Sequence, residues 1–174
     1  EVNKPALAGL WPSKKGISVV LDLGANIECD EKNLIDFSEM GAALYKAIFP
    51  NQKPYVSLLN IGSEEIKGTE VLKKTYSKLK DLSDDNNFIF NGYIEGNKLM
   101  DGVSNVIVTD GFTGNIALKT AEGTAKFITD NLKKSLTENI FSKISLLFSY
   151  FSLKKFKSKL DPRKYNGAIF LGLN

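Results

Sequence analysis

Short apolar runs that end at turns and alternate with helix-like stretches constrain this chain more than any other feature. The runs ISVVLDL at Ile17–Leu23 and YVSLLN at Tyr55–Asn60 have the length of buried strands, and a glycine follows each of them closely. Stretches with apolar residues at helical spacing come next along the chain. Strands alternating with helices predict an α/β fold, with a mainly parallel sheet and helices on both of its faces.

The same spacing rules place the remaining elements, and we expect one α/β domain over 1–174. The predicted helices run from an Asp30 cap to Ile48, over Thr69–Leu82 and over Ile116–Thr137, and two further strands are predicted at Phe88–Phe90 and Val106–Thr109. The tract Ser83–Asn87 is predicted to be a polar loop, and Gly96–Gly102 a turn or short helix.

The amino-acid composition excludes several classes of protein and several kinds of active site. The chain has 174 residues, 43% hydrophobic and 25% charged, which suits a globular protein and excludes disordered, collagen-like and disulfide-framework classes. It has no histidine, so His-based triads and ordinary zinc sites are excluded for this sequence. Cys29 is the single cysteine, which favours a reducing compartment. Its neighbours Glu28 and Asp30 should raise its pKa, so we expect no catalytic role for it.

Three loops at the ends of predicted strands combine glycine with Asn or Asp: 22–26, 60–68 and 110–115. Carboxyl ends of parallel strands meet at one edge of a sheet, where ligands bind, so we expect a site there. Gly111–Asn115, with Lys119 one turn further on, is the best candidate for an anion cradle, because N–H groups at a helix start attract anions. No loop matches a P-loop or dinucleotide fingerprint, and each alone is also compatible with ordinary turn chemistry.

Charge is unevenly distributed along the chain. Residues 1–110 hold 12 Lys/Arg and 16 Asp/Glu, a net of −4, whereas residues 111–174 hold 11 and 4, a net of +7. A basic final third indicates an acidic partner, which can be a membrane surface, an acidic protein or nucleic acid, or else a solvated lysine-rich face. No apolar run reaches the roughly 18 residues of a membrane-spanning helix.

Within this basic third, segment 139–160 is predicted to be an amphipathic helix. Phe148 and Phe151 fall on its apolar face, serines fall opposite, and Lys154, Lys155 and Lys157 follow. A phenylalanine-rich face beside lysines suits a helix lying in a membrane interface. The alternative is a helix packed on the protein core or on a second copy of the chain.

Five motifs resemble the PlsX-type phosphate acyltransferases of bacterial phospholipid synthesis. They are LDLGAN at 21–26, LLNIGSEEIKG at 58–68, IEG at 94–96, DGFTGNIALKTAEGTA at 110–125 and LDPRKYNGAIFLGLN at 160–174. The resemblance covers essentially the whole chain, in order. It implies Rossmann-type layers like those of isocitrate and isopropylmalate dehydrogenases. It also implies that the sequence is an internal-to-late fragment, since family members extend beyond it at both ends.

The resemblance further implies that acyl-(acyl carrier protein) and inorganic phosphate give acyl-phosphate and free carrier, without cofactor, metal or nucleic acid. The residues that fit this chemistry as catalytic groups are Asn115, Lys67, Asn60 and Asp110. Those that fit phosphate binding are Gly24, Asn26, Gly62, Glu64, Gly111, Thr113, Gly114 and Lys119. Asp22, Asp110 and Glu64 stay open as acceptors of a phosphate proton. Carrier or membrane contact is assigned to Phe148, Phe151, Lys154, Lys155 and Lys157.

The resemblance also implies a cytoplasmic homodimer that touches anionic membranes peripherally. Three alternatives remain: a coenzyme A phosphotransacylase, an NAD-dependent dehydrogenase of similar fold, and a non-catalytic module that binds carrier or membrane. Dehydrogenases of that type need a cluster of metal-binding Asp residues, and no strand-end loop here holds more than one Asp.

Overall fold

A computed structural model describes residues 3–82, 87–160 and 167–173, and for 143–145, 147 and 157–160 it describes the backbone alone. The strands are β1 (Ala6–Ser13), β2 (Gly16–Leu21), β3 (Tyr55–Asn60), β4 (Ile89–Glu95), β5 (Val106–Val108) and β6 (Ile169–Leu171). The helices are α1 (Glu31–Ile48), α2 (Glu70–Leu82), α3 (Gly111–Thr137) and α4 (Ile140–Leu160), with a short 3₁₀ turn at Gly96–Lys98.

The six strands form one mixed sheet in the order β4-β3-β5-β2-β1-β6. The four strands from β4 to β2 are parallel, as predicted, and β5 lies between β3 and β2 with Ile107 opposite both Ser57 and Val20. β1 is antiparallel to both β2 and β6. The prediction of a mainly parallel sheet therefore holds for this four-strand part, and the other two strands make the sheet mixed.

Helices cover both faces of the sheet, which confirms the predicted layers. Alternate residues of the central strands, such as Val106 and Val108, pack with α1 and α2. The residue between them, Ile107, belongs to a second cluster on the other face, against which Ala117 and Leu118 of α3 pack. Because both faces are buried, these strands are continuously apolar in sequence.

Several predicted elements have the expected bounds. β3 coincides with the prediction, α1 ends at Ile48 as expected, and α2 begins one residue later than predicted. Asp30 caps α1 in a capping box, accepting from the Asn33 backbone N–H at 2.8 Å while the Asn33 side chain accepts from the Asp30 N–H. In the predicted polar loop, residues 83–86 lie outside the described part of the chain.

Two predicted boundaries are wrong. The strand predicted at Phe88–Phe90 runs instead over Ile89–Glu95, because Asn91-Gly92 forms a bulge with Gly92 at φ +72° rather than a turn. The long helix predicted from Ile116 begins at Gly111, because the Asp110 side chain caps it. The predicted glycine-rich turn over 111–115 is thus the first part of α3.

Helix α4 covers Ile140–Leu160 of the predicted segment 139–160. It packs mainly against α3, and its half-buried residues Leu146 and Leu153 are seven positions apart, on one side of the helix. Phe148 and Phe151 are 84% and 80% exposed. The phenylalanine face is therefore not the face that packs on the core of this chain.

Candidate active site

A cleft of about 1050 Å³ opens at the carboxyl-terminal edge of the parallel strands, beside the first turns of α3. This is where open α/β sheets bind ligands. Its lining comprises Ile27, Glu28, Cys29, Leu34, Leu59, Asn60, Ile61, Gly68, Thr69, Val71, Leu72, Glu95, Gly96, Asn97, Leu99, Asp110, Thr113, Ile116 and Ala117. Three of the predicted site residues, Asn60, Asp110 and Thr113, therefore line one cleft.

Asp22 organises the loop that follows β2. One carboxylate oxygen accepts the backbone N–H groups of Leu7 at 3.0 Å, Gly24 at 3.1 Å and Ala25 at 3.0 Å. The other accepts the Asn26 backbone N–H at 2.7 Å and its side-chain amide at 2.8 Å. Asp22 is fully buried, and these five bonds occupy its acceptor sites. These bonds give Asp22 a part in holding the loop, and which of Asp22, Asp110 and Glu64 accepts a phosphate proton stays a prediction.

Asn26 joins this loop to α3. Its side-chain amide also donates to the Pro5 carbonyl at 2.7 Å, and its own carbonyl accepts the Gly111 N–H at 2.7 Å. A side chain at Gly111 would meet that carbonyl at 2.5 Å, and one at Gly114 would overlap the Asp22 carbonyl oxygen. Both glycines therefore allow close contact between helix and loop, and both amide hydrogens of Asn26 have internal acceptors.

The side chain of Asp110 caps the N-terminus of α3. The Asp110 carboxylate accepts the Thr113 backbone N–H at 2.8 Å and the Thr113 hydroxyl at 2.8 Å. The backbone N–H groups of Thr113 and Gly111 therefore already have acceptors, Asp110 and Asn26, although the predicted anion cradle requires them to be free for a ligand. In this conformation a carboxylate stands at the helix N-terminus, where it interacts favourably with the helix dipole. The cradle stays a prediction.

The loop after β3 is folded around Asn60. Its amide donates to the Lys67 carbonyl at 3.1 Å, and its oxygen accepts the Ile61 N–H at 2.8 Å. Gly68, at φ +93°, allows this close packing, since a side chain there would meet the Asn60 amide oxygen at 2.5 Å. Lys67 and Glu64 lie on the exposed outer part of the loop, beside Gly62, and do not line the cleft.

Glu65, which was not among the predicted site residues, connects this loop to α2. Its carboxylate accepts from the Tyr76 hydroxyl at 2.9 Å and from Lys80 Nζ at 3.2 Å. These two hydrogen bonds hold the pKa of Glu65 below its ordinary value, and the bond from Tyr76 has the larger effect. Burial, reinforced by Glu65, raises the pKa of Tyr76 to about 12, so its hydroxyl stays protonated and remains a donor.

Gly24 and Asn115 meet away from the cleft. A side chain at Gly24, which has φ +133°, would lie 2.7 Å from the Asn115 side-chain amide. At about 100° per residue, Asn115 lies roughly 160° around α3 from Thr113, and Lys119 lies roughly 40° from Asn115. Lys119 is exposed there and pairs with Glu122 at 3.0 Å. The predicted site residues thus fall into two groups on either side of α3, and the structure does not bring Asn115 together with Asn60.

Cys29 lies in the cleft wall as a thiol. Burial raises its pKa to about 11, outweighing the hydrogen bond with the Gly111 backbone, and Asp22 and Asp110 raise it further. The predicted direction is confirmed, although its main cause is burial rather than the adjacent acidic residues. A thiol with so high a pKa is a poor nucleophile at neutral pH, in accord with the expectation that it is a bystander.

β4 contributes to the cleft in a way that the sequence pattern did not predict. Glu95, Gly96 and Asn97 line it directly after this strand. The strand-end rule that selected the other loops would have found them if the predicted strand had continued beyond Phe90. Within 3–82, 87–160 and 167–173, no three His, Cys, Asp or Glu residues are grouped to hold a metal ion. No helix in those ranges is long and apolar enough to cross a membrane.

The mixed sheet, the helices on both of its faces and the cleft at its strand ends define the class of protein: a layered α/β protein of the kind that binds small ligands at the ends of its strands. Solved structures agree at the level of fold. A phosphotransacetylase (EutD) from Staphylococcus aureus superposes with a TM-score of 0.53 at 16% identity, covering 72% of this chain and 43% of that one. One from Streptococcus pyogenes gives 0.52 at 17% identity, with the same coverage.

The chain belongs to the fatty acid synthesis protein family, whose model matches residues 1–174. Phosphate acyltransferase of Pelagibacter ubique is 64% identical over 173 residues, which are 99% of this chain and 52% of that protein. The enzymes of the same name from Paramagnetospirillum magneticum and Brucella canis are 44% and 43% identical, over 99% and 100% of this chain and 49% and 50% of theirs. The chain thus spans about half the length of these relatives.

Proposed function

We propose that this chain is part of an enzyme that converts acyl-(acyl carrier protein) and inorganic phosphate to acyl-phosphate and free carrier, an early step of phospholipid synthesis. The observation that carries the proposal is the 64% identity, over 173 residues, to a protein named phosphate acyltransferase. The strand-edge cleft supports it, because open α/β sheets bind small ligands at this edge.

The proposed reaction needs positioning more than covalent chemistry. A phosphate oxygen attacks the thioester carbonyl, the carbonyl oxygen becomes an oxyanion, and the carrier leaves as a thiolate when the C–S bond breaks. Phosphate is already a nucleophile, and a thiol of ordinary pKa about 8.5 is a good leaving group. The protein has to align the reactants and stabilise the oxyanion with fixed donors.

Residues on the two flanks of α3 are assigned different roles in the proposed reaction. Asn115, whose amide makes no hydrogen bond with another described residue, is the proposed oxyanion donor, with Lys119 supplying charge on the same flank. Asp110, at the helix start between the flanks, is the proposed acceptor of the phosphate proton. Lys67, which forms no ion pair with a described residue, stays a candidate for phosphate binding.

Cellular setting is also part of the proposal. A cytoplasmic enzyme that touches anionic membranes is supported by the exposed Phe148 and Phe151 and by the exposed Lys154 and Lys155 on α4. The side chain of Lys157 lies outside the described part of the chain. The homodimer and the dehydrogenase-like layers are proposed on the family resemblance.

A coenzyme A phosphotransacylase is the second candidate, because phosphotransacetylases share the fold. The experiment supplies the full-length protein with acyl-(acyl carrier protein) and phosphate, traps acyl-phosphate with hydroxylamine and measures the released carrier thiol. We expect hydroxamate and thiol in equal amounts, dependent on phosphate. Faster product formation from acyl-coenzyme A than from the acyl carrier would favour the second candidate, and reduction of NAD by a hydroxy acid would favour the dehydrogenase.

A further inference from the structure

The loop between β3 and α2 is exposed along its outer part, and one side chain connects that part to the helix. Residues 63–67 are all exposed. Among the described residues, Glu65 is the only member of 61–67 whose side chain forms hydrogen bonds outside this segment, with the Tyr76 hydroxyl at 2.9 Å and with Lys80 Nζ at 3.2 Å. An exposed loop with so few contacts opens readily unless such bonds hold it in one conformation.

Tyr76 is itself held in place by the neighbouring strand. Its ring packs edge-on against Phe90 at a ring-centroid distance of 5.1 Å and in a tilted arrangement against Tyr93 at 4.7 Å, and both of these residues belong to β4. A side chain whose orientation is fixed by packing presents its polar group at a defined position. The Tyr76 hydroxyl therefore offers Glu65 a donor that is fixed with respect to the sheet.

Lys67 ends the turn in which Glu65 lies. The Lys67 N–H donates to the Glu64 carbonyl at 3.0 Å, which makes 64–67 a β-turn with Glu65 at its second position. The Lys67 carbonyl accepts the amide of Asn60, a residue of the cleft wall, at 3.1 Å. The Lys67 backbone is thus held beside the cleft from both of its peptide groups, while its side chain is exposed.

These contacts give the bond between loop and helix a role beyond folding. We infer that Glu65 and Tyr76 are positioning residues for Lys67: by holding the loop against α2, their hydrogen bond keeps the lysine ammonium group beside the cleft in the orientation that binds inorganic phosphate. A charge on a loop that is already ordered binds an anion more tightly, because less conformational freedom is lost on binding. This inference rests on the proposed function, in which Lys67 is a candidate for phosphate binding.

The first test removes only the Tyr76 hydroxyl. Tyr76→Phe keeps the ring but breaks the bond to Glu65, so in the full-length protein the KM for phosphate should rise about fivefold, with kcat within about twofold of the wild-type value. Calorimetric titration with inorganic phosphate should show a similar loss of affinity. Tyr93→Phe is the matched control and should change neither, because the buried Tyr93 hydroxyl makes no hydrogen bond with a described residue.

Further variants show whether the effect passes through Lys67. Glu65→Gln retains an acceptor oxygen and should raise the KM for phosphate less than Glu65→Ala does. Glu70→Gln is its control and should leave the KM unchanged, since Glu70 is an exposed carboxylate on α2 that pairs with Lys73 at 2.9 Å. In a Lys67→Ala background, Tyr76→Phe should raise the KM no further, because two changes that remove one interaction are not additive.

Several results would overturn the inference. They are equal effects of Tyr76→Phe and Tyr93→Phe, a lower kcat at unchanged KM, a rise in KM that persists in the Lys67→Ala background, and no binding of phosphate by the wild-type protein. Circular dichroism checks the fold, and if Tyr76→Phe does not fold, Glu65→Ala and Glu65→Gln decide by the same criteria. If phosphate binding responds as expected but no acyl-phosphate forms, the proposed function fails while the positioning role stands. If acyl-phosphate forms and Tyr76→Phe has a normal KM, the positioning role fails while the proposed function stands.

Discussion

At Gly114, helix α3 comes so close to the loop after β2 that no side chain fits between them. A Cβ there would overlap the Asp22 carbonyl oxygen, whereas one at Gly123, further along the same helix, would meet nothing within 4 Å. We expect Gly114→Ala to destabilise the full-length protein by about 1–3 kcal/mol, as overpacking does. Gly123→Ala should stabilise it by about 0.5–1 kcal/mol, because alanine favours the helix.

Denaturant unfolding of the two variants measures this difference. Because both substitutions add the same methyl group to one helix, the comparison isolates contact with the loop from helix propensity. Equal effects of the two substitutions would show that α3 and the loop are not held as closely as the structure has them.

A second residue-scale prediction concerns Asn115. If its amide faces the developing oxyanion, Asn115→Ala should reduce acyl-phosphate formation at least about tenfold, since loss of one such donor costs roughly 3 kcal/mol. Asn131→Ala, the same change further along α3, is the control and should retain normal turnover. Hydroxamate trapping gives the rate, and circular dichroism checks the fold. Normal turnover of a folded Asn115→Ala variant would exclude the residue from the site.

Among the elements, those with a strong local pattern could be predicted and the others could not. β3 and α1 combine a buried apolar pattern with clear ends, so their bounds follow from the sequence. β1 was missed: Pro12 and Gly9 weaken its strand pattern, and its pairing with β2 and β6 is a tertiary property. β6 was also missed, since three residues carry too little periodicity.

The sequence predicted the edge of the sheet at which the candidate site lies, but not the side of α3 on which each residue lies. The strand-end rule led to Asn60, Asp110 and Thr113, which share the cleft. Starting α3 at Ile116 left Asn115 in the same loop as Gly111, whereas the helix turns it to the opposite flank. The apolar cleft residues Ile27, Ile61 and Ile116 were missed because they are far apart in sequence and have no common motif.

α4 carries the element-scale prediction. Its exposed phenylalanines and lysines should bind anionic vesicles reversibly, because each lysine near such a surface contributes about 1 kcal/mol and each buried phenylalanine about 1.5–3 kcal/mol. We expect Phe148→Asp, Phe151→Asp to abolish co-sedimentation with anionic vesicles and to leave the fold intact. Phe112→Asp, at an exposed phenylalanine on α3, is the matched single-site control. Loss of folding or of a dimer in the double variant would make the α4 face a protein interface instead.

At the scale of the whole molecule, charge separates the chain into an acidic part, residues 1–110, and a basic part, residues 111–174, which includes α3 and α4. The net of +7 over 111–174, from 11 Lys/Arg and 4 Asp/Glu, should attract an acidic carrier protein. The association rate, measured by stopped flow with fluorescently labelled carrier, should therefore fall steeply as salt shortens the Debye length from about 30 Å at 0.01 M to about 8 Å at 0.15 M. Lys154→Glu, Lys155→Glu should slow it at low salt.

Lys32→Glu, Lys53→Glu changes the net charge by the same amount at exposed positions outside the basic part, and we expect a smaller effect on that rate. Equal slowing by the two pairs would mean that the carrier responds to total charge rather than to α4. A rate independent of salt would mean that contacts other than charge control the encounter.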